Sequence, residues 1–118
     1  MIDVKPTIAS LLSGIADTEL SFPQCAEELP RVTISENGNV SSVMLSGEDR
    51  YSIITLQLDV FAKTAEECSE LAARVNTELT ARGIKRAFAQ LITDERFPRF
   101  CMRYRFGIDE RTWRTVSL

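Results

Sequence analysis

Between Arg96 and Arg114 the chain reads RFPRFCMRYRFGIDERTWR, with six arginines and five aromatic rings in nineteen positions. Guanidinium groups grip phosphate and aromatic faces stack on bases, so this mixture holds the raw chemistry of a nucleic-acid surface. Arg and Trp are equally the residues that dominate protein interfaces. Other chemistries have less to draw on. The sequence contains no His, which removes the commonest general base, the commonest zinc ligand and any Ser-His or Cys-His pair. Cys25, Cys68 and Cys101 are an odd, widely spaced set with no C-x-x-C, and read as reduced thiols. No G-x-G-x-x-G, P-loop or EF-hand spacing occurs. The acids fall mostly at turns and on the polar face of a helix, and no two are placed for acid-base work. The expectation is a non-enzyme that needs no metal and no cofactor.

Charge is unevenly divided. Residues 1–83 carry 6 basic and 13 acidic groups, a net of −7, and residues 84–118 carry 8 basic and 4 acidic, a net of +4, within a total of −3. An acidic total opposes broad affinity for phosphate backbones. Acidic and basic parts in one chain can neutralise each other internally, or can meet in neighbouring copies head to tail, the heterologous contact that closes into rings. At 118 residues, 44% hydrophobic and 26% charged, the chain is expected to be one soluble globular domain over 1–118. Its apolar runs are far short of the roughly 20 residues that cross a bilayer. An acid at position 3 and no basic leader argue against a secretory signal.

The elements that must position these residues follow from spacing. Asp3, Pro6 and the recurrence of Ile8, Leu11, Leu12 and Ile15 predict a short helix over roughly 5–16. TELSFPQCAEELP reads as a loop with an extended piece around Leu20–Phe22, and RVTIS as a strand with one buried face. Asn37-Gly38 and Ser46-Gly47 are turn pairs. Between them Val40, Val43, Met44 and Leu45 give either a short extra hairpin or a loop with an apolar tip. RYSIITLQLDVFAK alternates: Ile54, Leu56, Leu58, Val60 and Ala62 form a core face, while Tyr51, Ile53, Thr55, Gln57, Asp59 and Phe61 form a partly covered one. Thr64 to Glu67 is a capping box. Cys68, Leu71, Ala72, Val75 and Leu79 make the apolar stripe of a helix over about 64–82 that Gly83 ends. IKRAFAQLIT reads as a strand of poor alternation.

The arginine-rich stretch then has a simple geometry. Phe100, Met102, Tyr104, Phe106 and Ile108 point one way; Cys101, Arg103, Arg105 and Asp109 point the other. The interleaving is the period of a strand, with the aromatics in the core. The arginine face has three readings: ion pairing across to Gln57 and Asp59, a protein interface, or nucleic acid. Trp113, flanked by Arg111 and Arg114, docks on its own domain or on a neighbouring subunit. The whole is α+β, a mostly antiparallel mixed sheet with one long helix packed on it and a short N-terminal helix.

Four stretches spanning nearly the whole chain carry a resemblance: MIDVKPTIASLL, LPRVTISE, YSIITLQLDVFAKT leading into SELAARVNTEL, and the closing RYRFGIDERTW. In order and length they are similar to the small tail-terminator, or head–tail joining, proteins of long-tailed bacteriophages and prophages. The resemblance implies a tail-terminator-like α/β fold. It implies a structural protein that forms a homo-oligomeric ring, a hexamer, on the tail tube, ends its polymerisation and joins tail to head. Its partners would be itself, the tail tube protein and the head connector protein, with DNA only passing through the lumen and no membrane. It would reside in the virion, and in the bacterial host cytoplasm during assembly. The residues expected at protein interfaces come from the pattern alone: Val43, Met44, Leu45, Gln57, Asp59, Arg103, Arg105, Arg111, Trp113 and Arg114. The competing reading is a ferredoxin-like regulatory or ligand-binding module that dimerises. A single-strand RNA binder would need aromatics beside the arginines, and here they fall on opposite faces.

Overall fold

A computed structural model describes residues 3–43, 50–93, 96–109 and 111–116. Pro6 sits in the first turn of helix α1 (Lys5–Leu12), where its missing N–H costs nothing, and Asp3 Oδ1 accepts a hydrogen bond from the Lys5 backbone N–H at 3.1 Å. The helix stops a turn short of the expected residue 16, at Ser13-Gly14, where the chain bends towards strand β1 (Asp17–Glu19). The extended piece expected at Leu20–Phe22 is therefore this earlier strand, and Leu20 and Ser21 follow it as bends. A single 3-10 turn, Ala26–Glu28, precedes strand β2 (Arg31–Val43).

β2 corrects the expectation of a turn at Asn37-Gly38. The strand runs straight through that pair, and the register against strand β3 (Arg50–Phe61) shifts by one residue between Glu36 and Gly38. A bulge absorbs the extra residue, at the kind of position where a Gly strand residue is common. The outcome is one long hairpin, in place of a separate small hairpin or a loop beginning at residue 36. β3 leads to helix α2 (Ala65–Thr80), then strand β4 (Arg86–Ile92), strand β5 (Arg99–Asp109) and strand β6 (Thr115–Val116). The sheet order is β1-β2-β3-β5-β4, with β6 also on β5. Among the described residues only the β1–β2 pairing is parallel. The fold is α+β with a mixed, mostly antiparallel sheet. The path β3–α2–β4 with β5 inserted between is one split β–α–β unit.

α2 forms for the reasons its sequence states. Thr64 Oγ1 accepts from the Glu67 backbone N–H at 3.2 Å, closing the first turn. Cys68, Leu71, Ala72, Val75 and Leu79 are all buried. At its end the Ile84 N–H donates to the Leu79 carbonyl and the Gly83 N–H to the Thr80 carbonyl, both at 3.0 Å, with Gly83 at φ +82°. That is the Schellman arrangement glycine permits. Both helices cover the face bearing Val32, Ile34, Ile54, Leu56, Leu58, Val60, Met102, Tyr104 and Phe106, which form one buried cluster. Tyr104 is fully buried, yet its hydroxyl donates to Asn76 Oδ1 of α2 at 3.0 Å. Burial pushes that phenol up to about 12. No described helix is long and apolar enough to cross a membrane.

Candidate self-assembly surfaces

The opposite face of the sheet divides into a covered half and an open half. Its rows read Arg31-Phe61-Arg99, then Thr33-Asp59-Cys101, then Ser35-Gln57-Arg103, across β2, β3 and β5. Phe22, from the segment after β1, packs its ring 5.1 Å from that of Phe61 and lies under the Arg99 guanidinium at 5.7 Å. Beyond the Asp59 row no helix covers the sheet, and Arg103 and Arg105 are exposed.

Gln57, Asp59 and Arg103 do come together, though in a different pairing from the one their spacing suggests. Arg103 Nε donates to Gln57 Oε1 at 3.3 Å, and Gln57 Nε2 donates to Asp59 Oδ2 at 3.0 Å. The ion pair expected between the Arg103–Arg105 pair and Asp59 forms instead with Arg99, whose Nε lies 3.8 Å from Asp59 Oδ1. Register explains the substitution. Asp59 stands opposite Cys101, one row from both arginines, and only the Arg99 side is enclosed. Asp59 is 1% exposed and Thr33, opposite it on β2, 2%. The Cys101 thiol beside them is pushed up to about 11, first by burial and then by the Asp59 carboxylate. Cys68, on the α2 side, rises to about 11 chiefly through burial.

Arg103 also lies over the Phe88 ring of β4 at 5.1 Å, which carries the arginine face onto the sheet edge. Arg105 presents its guanidinium to solvent while its backbone N–H donates to the Lys85 carbonyl at 3.4 Å.

The C-terminal residues are built into the fold. Asp109 organises the turn after β5: its Oδ1 accepts from the Arg111 N–H at 2.8 Å and its backbone N–H donates to the Arg114 carbonyl at 2.8 Å. Trp113 donates its backbone N–H to the Asp109 carbonyl at 2.8 Å and is held at φ +59°, a region non-glycine residues seldom occupy. Thr115 Oγ1 then donates to the Arg82 carbonyl at 3.0 Å, tying β6 to the end of α2. Trp113, 46% exposed, lines an open cleft of about 550 Å³ together with Ile8, Leu11, Phe106 and Arg114. Arg111 Nε lies 4.0 Å from Asp109 Oδ1.

The two edges of the sheet differ in charge. Around β1 and β2 stand Asp3, Asp17, Glu19, Glu28 and Glu36 against Lys5 and Arg31. Lys5 lies within ion-pair distance of Asp3 and Glu36, and Arg31 of Asp17 and Glu28. At the β4 edge Lys85, Arg86, Arg103 and Arg105 are all exposed. Asp94 and Glu95, which follow β4 in sequence, lie outside the described residues. Acids of the sequence's acidic part thus gather at the β1–β2 edge, and bases of its basic part at the β4 edge.

Of the residues expected at interfaces, Gln57, Asp59, Arg103 and Arg105 share one sheet face, Asp59 being buried there. Arg111, Trp113 and Arg114 share the β5–β6 turn. Val43 ends β2, and Met44 and Leu45 lie outside the described residues. Sequence reasoning missed Arg99, Phe88 and Leu91. Arg99 could have been found by extending the period-two count one step towards Pro98. No protein-family model matches this sequence, and no curated protein matches it significantly.

Proposed function

We propose that the chain is a structural protein that assembles with copies of itself, head to tail, into a closed ring. The observation carrying this reading is the pair of oppositely charged edges on one sheet: an acidic surface around β1 and β2 and a basic one around β4 and β5 can meet only in different copies. A repeated contact of that kind generates a ring when the rotation closes. The exposed Arg103 and Arg105, and Trp113 beside its cleft, supply the residue types that dominate interface energetics.

The resemblance to phage tail terminators gives the ring its place. A hexameric ring would sit on the tail tube, end its growth and present the tail to the head connector, with DNA passing through the lumen. An acidic total favours such a lumen, since DNA slides past without strong phosphate contacts. The dimeric ligand-binding alternative draws on one observation, the Trp113 cleft. Negative-stain imaging of the purified chain separates the two. Rings with a central hole support the proposal, and uniform compact particles of dimer size contradict it.

A further inference from the structure

β4 is unusual for an edge strand. Six of its seven residues are exposed, on both faces, and the run AFAQLI carries no charge and no proline. Natural edges are blunted by such residues, because a bare row of N–H and C=O groups templates another strand. Phe88 and Leu91, 40% and 38% exposed, add apolar surface to that edge. The other long open edge among the described residues belongs to β2. β1 pairs three of its 13 residues, Arg31 to Thr33, which leaves the ten from Ile34 to Val43 without a strand on that side.

We propose that successive copies join by main-chain pairing, β4 of one copy adding to the Ile34–Val43 stretch of β2 in the next, so that one sheet runs through the assembly. This rests on the head-to-tail ring reading and names the contact that makes it. Strand direction supports it. β2, β3, β5 and β4 alternate in direction, so a copy related by rotation about an axis along the strands sets its β2 antiparallel to β4, continuing the ladder. Length supports it, since seven residues need fewer than the ten available.

Packing agrees as well. Leu91 stands opposite Phe100 and so points to the helix-covered face. Beside the β2 edge on that same face is a cleft of about 250 Å³ lined by Pro6, Ala9, Leu20 and Ile34, and Leu20 is 69% exposed. The rival, β4 pairing with β4 of a two-fold mate, would bring the basic surface of Lys85, Arg86, Arg103 and Arg105 against its own copy.

Amide hydrogen exchange of the full chain, below and above the concentration at which it associates, tests the pairing. The expected result is slowing of about tenfold or more in β4 and in Ile34–Val43 together. Protection of β4 alone would indicate two-fold pairing and overturn the proposal. Assembly with neither edge protected would overturn it while leaving the ring reading intact, and no assembly at any concentration would overturn both. A substitution on the packed face gives an independent readout. Leu91→Asp, at a position 38% exposed in the single chain, should weaken association about tenfold while leaving the melting temperature nearly unchanged. Association as tight as that of the unaltered chain contradicts the pairing.

Discussion

Asp59 is a carboxylate placed where a strand's polar face becomes enclosed, and its surroundings show how the chain tolerates that. Gln57 donates to one oxygen and Arg99 supplies charge at 3.8 Å to the other. Removing one partner of a buried pair strands the other. Asp59→Ala should therefore destabilise the fold by about 2–4 kcal/mol, measured by denaturant unfolding, with Asp59→Asn costing less. A loss within about 0.5 kcal/mol of zero would show that Arg99 is satisfied without it. The cysteines make a second prediction. Cys68 and Cys101 are buried with thiols raised to about 11, and Cys68 Sγ donates to the Val60 carbonyl at 2.9 Å, while Cys25 is only half-buried. A thiol reagent at mildly alkaline pH should label Cys25 rapidly and the other two only on unfolding; rapid labelling of all three contradicts the packing. Cys68 was legible in sequence as part of an apolar stripe. Cys101 was not, because it alternates with arginines on the sheet face opposite the helices yet is buried there.

At the scale of elements, legibility followed how completely each one buries a face. α2, β3 and β5 each sink one full stripe into the core, so their periods of 3.6 and two residues are clean. β4 buries neither face, and its poor alternation is what a strand held by one edge looks like. The full length of β2 is hidden in the sequence because Asn37-Gly38 is a strong local hairpin signal. Here pairing with β3 on both sides of it outweighs that local preference, and the pair becomes a bulge. β1 and β6, of three and two residues, carry no period at all. The junction of α2 with β6 depends on one backbone position. A Cβ on Gly83 would meet Thr115 Oγ1 at 2.5 Å, and the residue is already at φ +82°. Gly83→Ala should cost about 1–2 kcal/mol through the left-handed conformation, lowering the melting temperature by several degrees. An unchanged melting temperature would show that residue 83 leaves the left-handed region, and Thr115 gives way, without cost.

For the whole molecule, part of the sequence's charge division is spatial: acids gather at the β1–β2 edge and bases at the β4 edge, while Glu66, Glu70 and Glu78 lie on α2 and the arginine face of β5 is left open. Period-two geometry accounts for where the arginines point, and the proposed self-assembly would give the exposed Arg103 and Arg105 a partner. Replacing both with Glu should change folding stability by less than about 1 kcal/mol, since exposed charges contribute little. It should weaken association by an order of magnitude or more, since a repeated contact then brings like charges together. Unchanged association with a large fall in melting temperature would assign that face to folding instead. The most direct measurement is mass by light scattering across a series of protein and salt concentrations. The ring reading predicts a discrete species of about six chains that dissociates as salt rises. A mass that stays at one or two chains at every concentration and salt would contradict it.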